Sequence, residues 1–188
     1  MHFALPKIFY FINEYDKNYI RKLDKKIAII YRNYKKKDIS TDILKIKSCC
    51  KRDDRKFYLS NNIDLAIKLK LDGAYIPSFN QKHIKKKIKN DFLLLGSAHN
   101  IKQIKIKEKQ NVELIFLSPI FSTKNKNKKL GINKFNLLAN HTKKKVIALG
   151  GINANNINKL NLTNSYGFAS ISLIRDNYNL VKSIIKKF

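Results

Sequence analysis

The sequence is poor in residues that mark several protein classes. It has no tryptophan, one methionine, three prolines and six glycines in 188 residues, and its two cysteines are the neighbours Cys49 and Cys50. Adjacent cysteines suit neither a pair of metal ligands nor an ordinary disulfide, so we expect a reducing, cytoplasmic setting. No apolar run approaches the roughly 20 residues that a membrane-spanning helix requires. We therefore expect a globular protein with no membrane partner and no signal peptide.

Acidic residues are also scarce. The chain has 13 aspartates and glutamates against 40 lysines and arginines, a formal charge of +27, which suggests a polyanionic partner. The basic residues are, however, spread through every segment among many isoleucines and asparagines, as codon bias in an A/T-rich genome would produce. A nucleic-acid surface is more often a local patch interleaved with aromatic side chains. We expect no specific nucleic-acid partner, whereas phosphorylated small molecules suit the charge.

Short apolar runs alternate with segments of helical periodicity along the chain. The eight runs lie at residues 7–12, 27–31, 57–59, 74–76, 92–97, 114–118, 146–149 and 166–172. One of the predicted helices extends from about Asn80 to Lys89. This alternation predicts a parallel α/β fold, and eight repeats favour a closed (β/α)8 TIM barrel over the alternative, an open doubly wound sheet. Because such barrels typically have ~250 residues, we expect a small one, a single domain across residues 1–188.

The seventh apolar run leads directly into Gly150 and Gly151, and Asn153 is a predicted cap for a helix that begins at Ala154. Glycines at this junction let backbone N–H groups approach an anion, and a helix N-terminus adds a favourable dipole. The alternative is a purely structural left-handed turn. The next strand ends in small hydroxyl residues, and two such neighbouring loops commonly hold a phosphate in barrel enzymes.

The other predicted strand ends carry mostly cations, amides and hydroxyls. Reactive groups of such barrels follow the carboxyl ends of the strands. In this sequence those positions hold Arg32, Lys35, Ser60, Asn61, Tyr75, Ser78, Asn80, Ser97, His99, Thr123, Lys124 and Lys126. The set suits phosphate and pyrophosphate oxygens, and suits neither a catalytic carboxylate pair nor a Mg²⁺ site. His99 is the one member that can shuttle protons near neutral pH, although a helix-start residue bonded to backbone is the alternative.

Five segments together resemble the thiamine phosphate synthase/TenI family. Asp72–Ile76 is similar to its DGVHL strand, and Leu95–Asn100 resembles GxSTHS. Ser118–Lys126 resembles GPIFPTxTK, Val146–Asn153 is similar to VIAIGGI with its following residue, and Gly167–Ile174 resembles GVAVVSAI. The order and spacing of the segments agree over most of the chain.

The resemblance implies a (β/α)8 barrel and a transferase that joins a pyrimidine pyrophosphate to a thiazole phosphate, releasing pyrophosphate. The implied ligands of the thiazole phosphate are Gly150, Gly151, Ser172 and Thr123. The implied pyrophosphate ligands are Arg32, Lys35, Ser97 and Lys126, and the candidate catalytic residues are Ser97, His99, Arg32 and Lys126. Their task would be to stabilise the leaving charge and to position the thiazole nitrogen.

The sequence departs from the family at its metal site. Mg²⁺ is the implied cofactor, but the aspartates that bind it align with Asn61 and Asn80, and neutral amides bind Mg²⁺ less well than carboxylates. The histidine of DGVHL is Tyr75 here. These changes resemble the TenI branch, which leaves two alternatives open. One is a thiazole tautomerase that moves a proton with His99, and the other is a non-catalytic protein that binds thiazole phosphate at the Gly150–Gly151 turn.

Overall fold

The protein is a barrel of eight parallel β-strands. The computed structural model describes residues 5–84, 88–89, 91–123 and 129–186. The strands are β1 Ile8–Ile12, β2 Ile27–Tyr31, β3 Phe57–Ser60, β4 Gly73–Ile76, β5 Leu93–Ala98, β6 Leu114–Leu117, β7 Lys145–Leu149 and β8 Gly167–Ser170. Each strand pairs in parallel with its neighbours in sequence, and β8 pairs with β1 to close the barrel. The predicted closed barrel is confirmed, and the open-sheet alternative is wrong.

Helices follow most of the strands. Within the described residues they are α1 Lys17–Lys22, α2 Ser40–Arg52, α3 Ile63–Lys68, α4 Ile101–Lys109, α5 Gly131–Ala139, a 3-10 helix Ile157–Leu162, α6 Ser172–Asp176 and α7 Tyr178–Ile185. They pack on the strands through side chains such as Ile43 and Ile104, which are completely buried. Among the described helices, none has the length and apolar character that crossing a membrane requires.

The helix predicted after β4 is wrong for the residues that the structure describes. Residues 80–84 and 88–89 of the predicted span Asn80–Lys89 adopt no helical structure. Two buried side chains of the next helical segment, Lys107 and Gln110, bind backbone carbonyls of this stretch instead. Because another element holds these carbonyl oxygens, distant residues constrain the backbone here. The periodicity of the local sequence gives no sign of such a constraint.

The helix predicted from Ala154 is also wrong. Asn153 Oδ1 accepts a hydrogen bond from the N–H of Asn155 at 3.0 Å, and Asn156 Oδ1 accepts one from the N–H of Asn153 at 2.9 Å. Such local asparagine bonds compete with the helical ones, and the chain enters only a 3-10 helix at Ile157. The expected α-helix dipole behind the glycine turn is therefore missing.

The interior of the barrel is filled with aromatic rings. Alternate residues of β1 point inward, so Phe9 and Phe11 join the central cluster while their neighbours pack toward the helices. Phe116 meets Phe9 at 4.9 Å and Tyr75 at 5.4 Å between ring centres, both edge to face. Because the centre is a packed core, a ligand has to bind at the mouth that the carboxyl ends of the strands form.

Candidate active site

Three polar side chains converge where β2, β4 and β5 end. Arg32 directly follows β2, and its guanidinium carbon lies 4.8 Å from the centre of the Phe11 ring. Tyr75 in β4 is 3 % exposed, and the side chain of Ser97 in β5 lies close enough to act on its pKa. Burial raises the pKa of Tyr75 to about 12, and the nearby Ser97 hydroxyl and the Arg32 charge oppose that rise. Tyr75 is therefore a neutral hydroxyl at pH 7, beside a guanidinium and a second hydroxyl.

Two exposed aromatic rings flank this group. Tyr34 follows β2, and its hydroxyl lies 2.7 Å from Ser60 Oγ at the end of β3. The Tyr34 ring meets Phe79, in the loop after β4, edge to face at 5.8 Å. Phe79 is 64 % exposed, a large apolar surface for a loop residue. Sequence reasoning did not select either ring as a site residue, although both lie a few positions after a predicted strand.

His99, which follows β5, is bonded through both ring nitrogens. Nδ1 lies 2.6 Å from the carbonyl oxygen of Ser118, and Nε2 lies 3.0 Å from Ser78 Oγ. A carbonyl oxygen can only accept, so Nδ1 carries a proton and donates it to Ser118. In the neutral ring Nε2 then accepts from the Ser78 hydroxyl. His99 thus forms a pair with Ser78 at the mouth, and its bond to the Ser118 carbonyl also fits the alternative of a helix-start histidine bonded to backbone.

The Gly150–Gly151 turn has a backbone that favours glycine. Its φ angles are 95° and 71°. A Cβ on Gly150 would lie 2.8 Å from Cβ of Pro119, and one on Gly151 would lie 2.4 Å from the carbonyl oxygens of Phe121 and Ser122. The turn therefore packs directly against the loop after β6. The positive φ angles agree with the predicted tight glycine turn, whereas the choice between anion binding by its N–H groups and a purely structural turn stays open.

Ser170 joins the loops after β7 and β8. Its Oγ donates to the carbonyl of Ile152 at 3.2 Å and accepts from the N–H of Leu173 at 3.2 Å. Ser172, the predicted phosphate ligand, is the first residue of α6 and is exposed. The structure thus gives the two serines different surroundings, and Ser170 is the one that orders the backbone between the glycine turn and α6.

Asn61 and Asn80 lie together but bond to each other. Asn80 Nδ2 donates to Asn61 Oδ1 at 2.8 Å, and Asn80 Oδ1 accepts from the N–H of Lys82 at 3.1 Å. Both amide oxygens, the atoms that could bind a cation, are thus already acceptors. Within the described ranges no group of three or more His, Cys, Asp or Glu side chains could hold a metal ion. Two engaged neutral amides do not fit Mg²⁺, which prefers carboxylate oxygens.

A cavity of about 470 Å³ opens beside the asparagine pair. Its walls come from the loop after β3 and the start of α3, from the end of β4 and the loop after it, and from the end of α4. The lining residues are Asn61, Asn62, Ile63, Asp64, Ile76, Asn80, Lys82, His83, Ile84 and Gln110. The lining includes none of Arg32, Tyr75 and Ser97, so the cavity is distinct from the Arg32 group.

The other predicted ligands are placed in part. Lys35 is exposed in the loop after β2, where its N–H donates to Asn33 Oδ1 at 3.0 Å. Thr123 is half-buried in the loop after β6. Lys126, predicted to contact pyrophosphate, lies outside the described residues, as does Lys124. Arg32 and Ser97 are therefore the predicted pyrophosphate ligands that the structure brings together.

A closed (β/α)8 barrel with a cationic, hydroxyl-rich mouth and a glycine turn after β7 is typical of barrels that bind phosphorylated small molecules. The chain matches the family described as thiamine monophosphate synthase over residues 21–174. It belongs to that family, and the resemblance seen in its motifs is confirmed.

Named proteins agree with this assignment. The chain is 29 % identical over 164 residues to the thiamine-phosphate synthase of Fusobacterium nucleatum, covering 84 % of this chain and 80 % of the relative. It is 24 % identical over 181 residues to the putative thiamine-phosphate synthase 2 of Aquifex aeolicus, covering 90 % and 97 %. The structure superimposes on thiamine phosphate pyrophosphorylase from Pyrococcus furiosus with a TM-score of 0.79, at 17 % identity and 97 % and 96 % coverage. This last likeness concerns the fold.

Proposed function

We propose that this protein is a thiamine-phosphate synthase, which joins a pyrimidine pyrophosphate to a thiazole phosphate and releases pyrophosphate. The observation that carries the proposal is the convergence of Arg32, Tyr75 and Ser97 at the barrel mouth. The names of the relatives support this activity and favour neither a tautomerase nor a non-catalytic binder.

The Arg32 group is proposed to hold the pyrophosphate. When pyrophosphate departs, the bond between the pyrimidine methylene carbon and the bridging oxygen breaks, and negative charge grows on the leaving oxygens. Arg32 meets that charge with a guanidinium, and Ser97 and Tyr75 meet it with hydroxyl groups. Because these groups are already positioned by the strands, they need little reorganisation during the reaction. Lys35 and Lys126 remain proposed ligands from the sequence.

The opposite side of the mouth is proposed to hold the thiazole phosphate. The Gly150–Gly151 turn offers backbone N–H groups, and Thr123 and Ser172 offer hydroxyls. Binding the phosphate there would direct the thiazole nitrogen toward the pyrimidine methylene carbon, where the new C–N bond forms. Holding both reactants in line converts a collision into a step within one complex.

The two residues that align with the family's metal-binding aspartates, Asn61 and Asn80, do not suit the implied Mg²⁺. Asn61 and Asn80 use their amide oxygens to accept hydrogen bonds within the protein. We therefore propose that the cationic side chains of the rim, and no Mg²⁺ held by these two residues, neutralise the pyrophosphate. His99 Nε2 faces the Ser78 hydroxyl. We propose that this hydroxyl links His99 to the substrate by a hydrogen bond.

We propose that residues 1–188 form one catalytic domain that acts in a reducing cytoplasm. Both cysteines are free and buried, and burial raises the pKa of Cys50 to about 12, so its thiol is unreactive at neutral pH. In a compartment where disulfides form, neither cysteine would find a third cysteine in this chain to bond with. The proposed partners are the two small phosphorylated substrates, and no specific nucleic acid.

The proposal is tested by incubating purified protein with both substrates and measuring thiamine phosphate. One arm contains Mg²⁺, and a second contains EDTA with no added metal. We expect product in both arms. Absence of product in both would overturn the synthase assignment, and product in the Mg²⁺ arm alone would overturn the proposal that the cationic rim replaces the metal.

A further inference from the structure

Lys107 is a buried lysine of α4 that lies outside the proposed substrate site. Its side chain is 0 % exposed. Nζ donates to the carbonyl of Pro77 at 2.9 Å, to the carbonyl of Asn80 at 2.7 Å and to Gln110 Oε1 at 2.8 Å. An ammonium group has three N–H donors, so these three acceptors satisfy it completely. All three acceptors are neutral, and burial lowers the pKa of Lys107 to about 8.

Gln110, at the end of α4, extends the same contact. Its Nε2 donates to the carbonyl of Asn80 at 3.2 Å and to the carbonyl of Lys82 at 2.7 Å. Two side chains thus hold carbonyl oxygens at three positions of the loop after β4. Because residues 77–84 contain neither helix nor strand, contacts of this kind set the course of the loop.

The barrel wall leaves space for the lysine. A Cβ on Gly96 in β5 would lie 2.8 Å from Cδ of Lys107 and 3.0 Å from Cγ1 of Val112. The missing side chain at residue 96 lets the aliphatic part of Lys107 cross β5 and reach the loop of the neighbouring strand. An ordinary lysine on a helix surface would instead extend into water.

The loop held in this way carries three contacts of the mouth. The Ser78 hydroxyl meets His99 Nε2 at 3.0 Å. The Phe79 ring packs against Tyr34, and the Asn80 amide donates to Asn61. Residues 77 and 80, whose carbonyls Lys107 binds, lie on either side of Ser78 and Phe79.

We propose that Lys107 and Gln110 are positioning residues, which clamp the loop after β4 so that Ser78 and Phe79 face the barrel mouth. The consequence for catalysis rests on the proposed function, whereas the clamping itself does not. By this proposal, loss of the clamp frees the loop while the barrel remains folded.

The bonding around the loop leads us to expect that the protein still folds when the lysine is replaced. The Pro77 carbonyl also accepts from the N–H of Asn80 at 3.0 Å, and the Asn80 carbonyl also accepts from Gln110. Replacing Lys107 by methionine therefore leaves both carbonyls with a partner and keeps an unbranched side chain in the space beside Gly96. It leaves Gln110 Oε1 without its donor, but it also removes a buried charge that has only neutral acceptors, which offsets part of that loss.

A fluorescent reporter tests the clamp without any assay of activity. The chain has no tryptophan, so Phe79→Trp introduces a single one on the loop. In this background Lys107→Met is compared with Lys109→Met, which removes an exposed lysine of the same helix. We expect Lys107→Met to increase acrylamide quenching and lower the anisotropy of Trp fluorescence, and Lys109→Met to change neither. A folded Lys107→Met protein with unchanged quenching and anisotropy would overturn the proposal.

Two further measurements keep the test decisive. If Lys107→Met does not fold, Gln110→Met is measured in the same way, and unchanged quenching there overturns the clamp.

In the synthase assay, with Phe79 intact, Lys107→Met should lower kcat roughly 10- to 100-fold with a smaller change in KM, and Lys107→Arg should recover part of the loss. A mobile loop with unchanged kcat overturns the positioning role. If the unsubstituted protein makes no thiamine phosphate, the proposed function fails and the reporter alone decides the clamp.

Discussion

Arg32 shows how a single side chain connects the barrel core to the proposed chemistry. Its guanidinium lies over the Phe11 ring, and its charge acts on both Tyr34 and Tyr75. Arg32→Met keeps a long apolar stem beside Phe11 but removes the charge. We expect kcat/KM for thiamine phosphate formation to fall roughly 100-fold, as when a transition-state charge loses one fixed donor. Steady-state kinetics with both substrates measures this.

The matched control is Lys25→Met, which removes an exposed cation at the opposite end of β2. Its kcat/KM should equal that of the unsubstituted protein. Equal losses in the two variants would show that net charge matters and that Arg32 has no particular role at the mouth.

Tyr58 is a single residue whose hydroxyl is buried and has no hydrogen-bond partner in the described part of the chain. Tyr31, also fully buried, donates its hydroxyl to Asp42 at 3.0 Å. Removing an unsatisfied hydroxyl relieves a desolvation cost, and removing a bonded one loses the bond. We expect Tyr58→Phe to raise the free energy of unfolding by about 1 kcal/mol and Tyr31→Phe to lower it by about 1 kcal/mol. Urea denaturation of both variants measures this, and a destabilised Tyr58→Phe protein would contradict it.

The turn between β7 and the 3-10 helix is the element whose geometry most constrains the proposed phosphate site. Gly151 and Gly131 have nearly equal φ angles, 71° and 69°, but a Cβ at Gly151 meets two carbonyl oxygens at 2.4 Å while one at Gly131 meets nothing within 4 Å. Gly131→Ala should therefore cost only the left-handed backbone energy, about 1–2 kcal/mol. We expect Gly151→Ala to cost more and to weaken binding of thiazole phosphate, as measured by denaturation and by calorimetric titration. Equal effects of the two substitutions would show that the close approach does not matter.

Elements also show where local patterns fail. The strands were predicted well because each is a short apolar run with buried neighbours on both faces, a property of the run itself. The helices expected at Asn80 and Ala154 failed for two different reasons. Asparagine side chains around Asn153 bind nearby N–H groups, and the loop at Asn80 is held by Lys107 and Gln110 from a distant part of the chain.

At the scale of the whole molecule, the raised pKa values of buried tyrosine hydroxyls and of one buried cysteine thiol predict how stability depends on pH. Burial raises the pKa values of Tyr31, Tyr75 and the Cys50 thiol to about 12 in the folded protein. In the unfolded chain such groups ionise near pH 10 for tyrosine and about pH 8.5 for cysteine. The unfolded state therefore loses protons that the folded state keeps, and folding becomes less favourable as the pH rises.

We expect the free energy of unfolding to fall between about pH 10 and pH 12, as determined by urea denaturation. Lys107 acts in the opposite sense, because its pKa is lowered to about 8 in the folded protein. Its contribution to stability rises from about pH 8 to pH 10.5 and then stops. A free energy of unfolding that is constant or rising above pH 10.5 would contradict the prediction.

The sequence by itself determined the class of fold and much of the chemical character of the mouth. Eight alternating apolar runs predict a parallel barrel, because period and spacing are local properties that survive in any arrangement of the chain. The left-handed turn at Gly150–Gly151 followed from glycine alone. The cations and hydroxyls of the rim followed from their places after the strands.

Only the tertiary structure decided what those side chains bind. Asn61 and Asn80 belong to different loops, and only their meeting shows that their oxygens are already engaged. The tautomer of His99 depends on Ser78 and Ser118, which come from two other strand ends. The burial of Lys107 depends on Gly96 and the loop after β4. A hydrogen bond between distant residues leaves no periodic signal in a sequence, since it depends on distances that exist only after the barrel has closed.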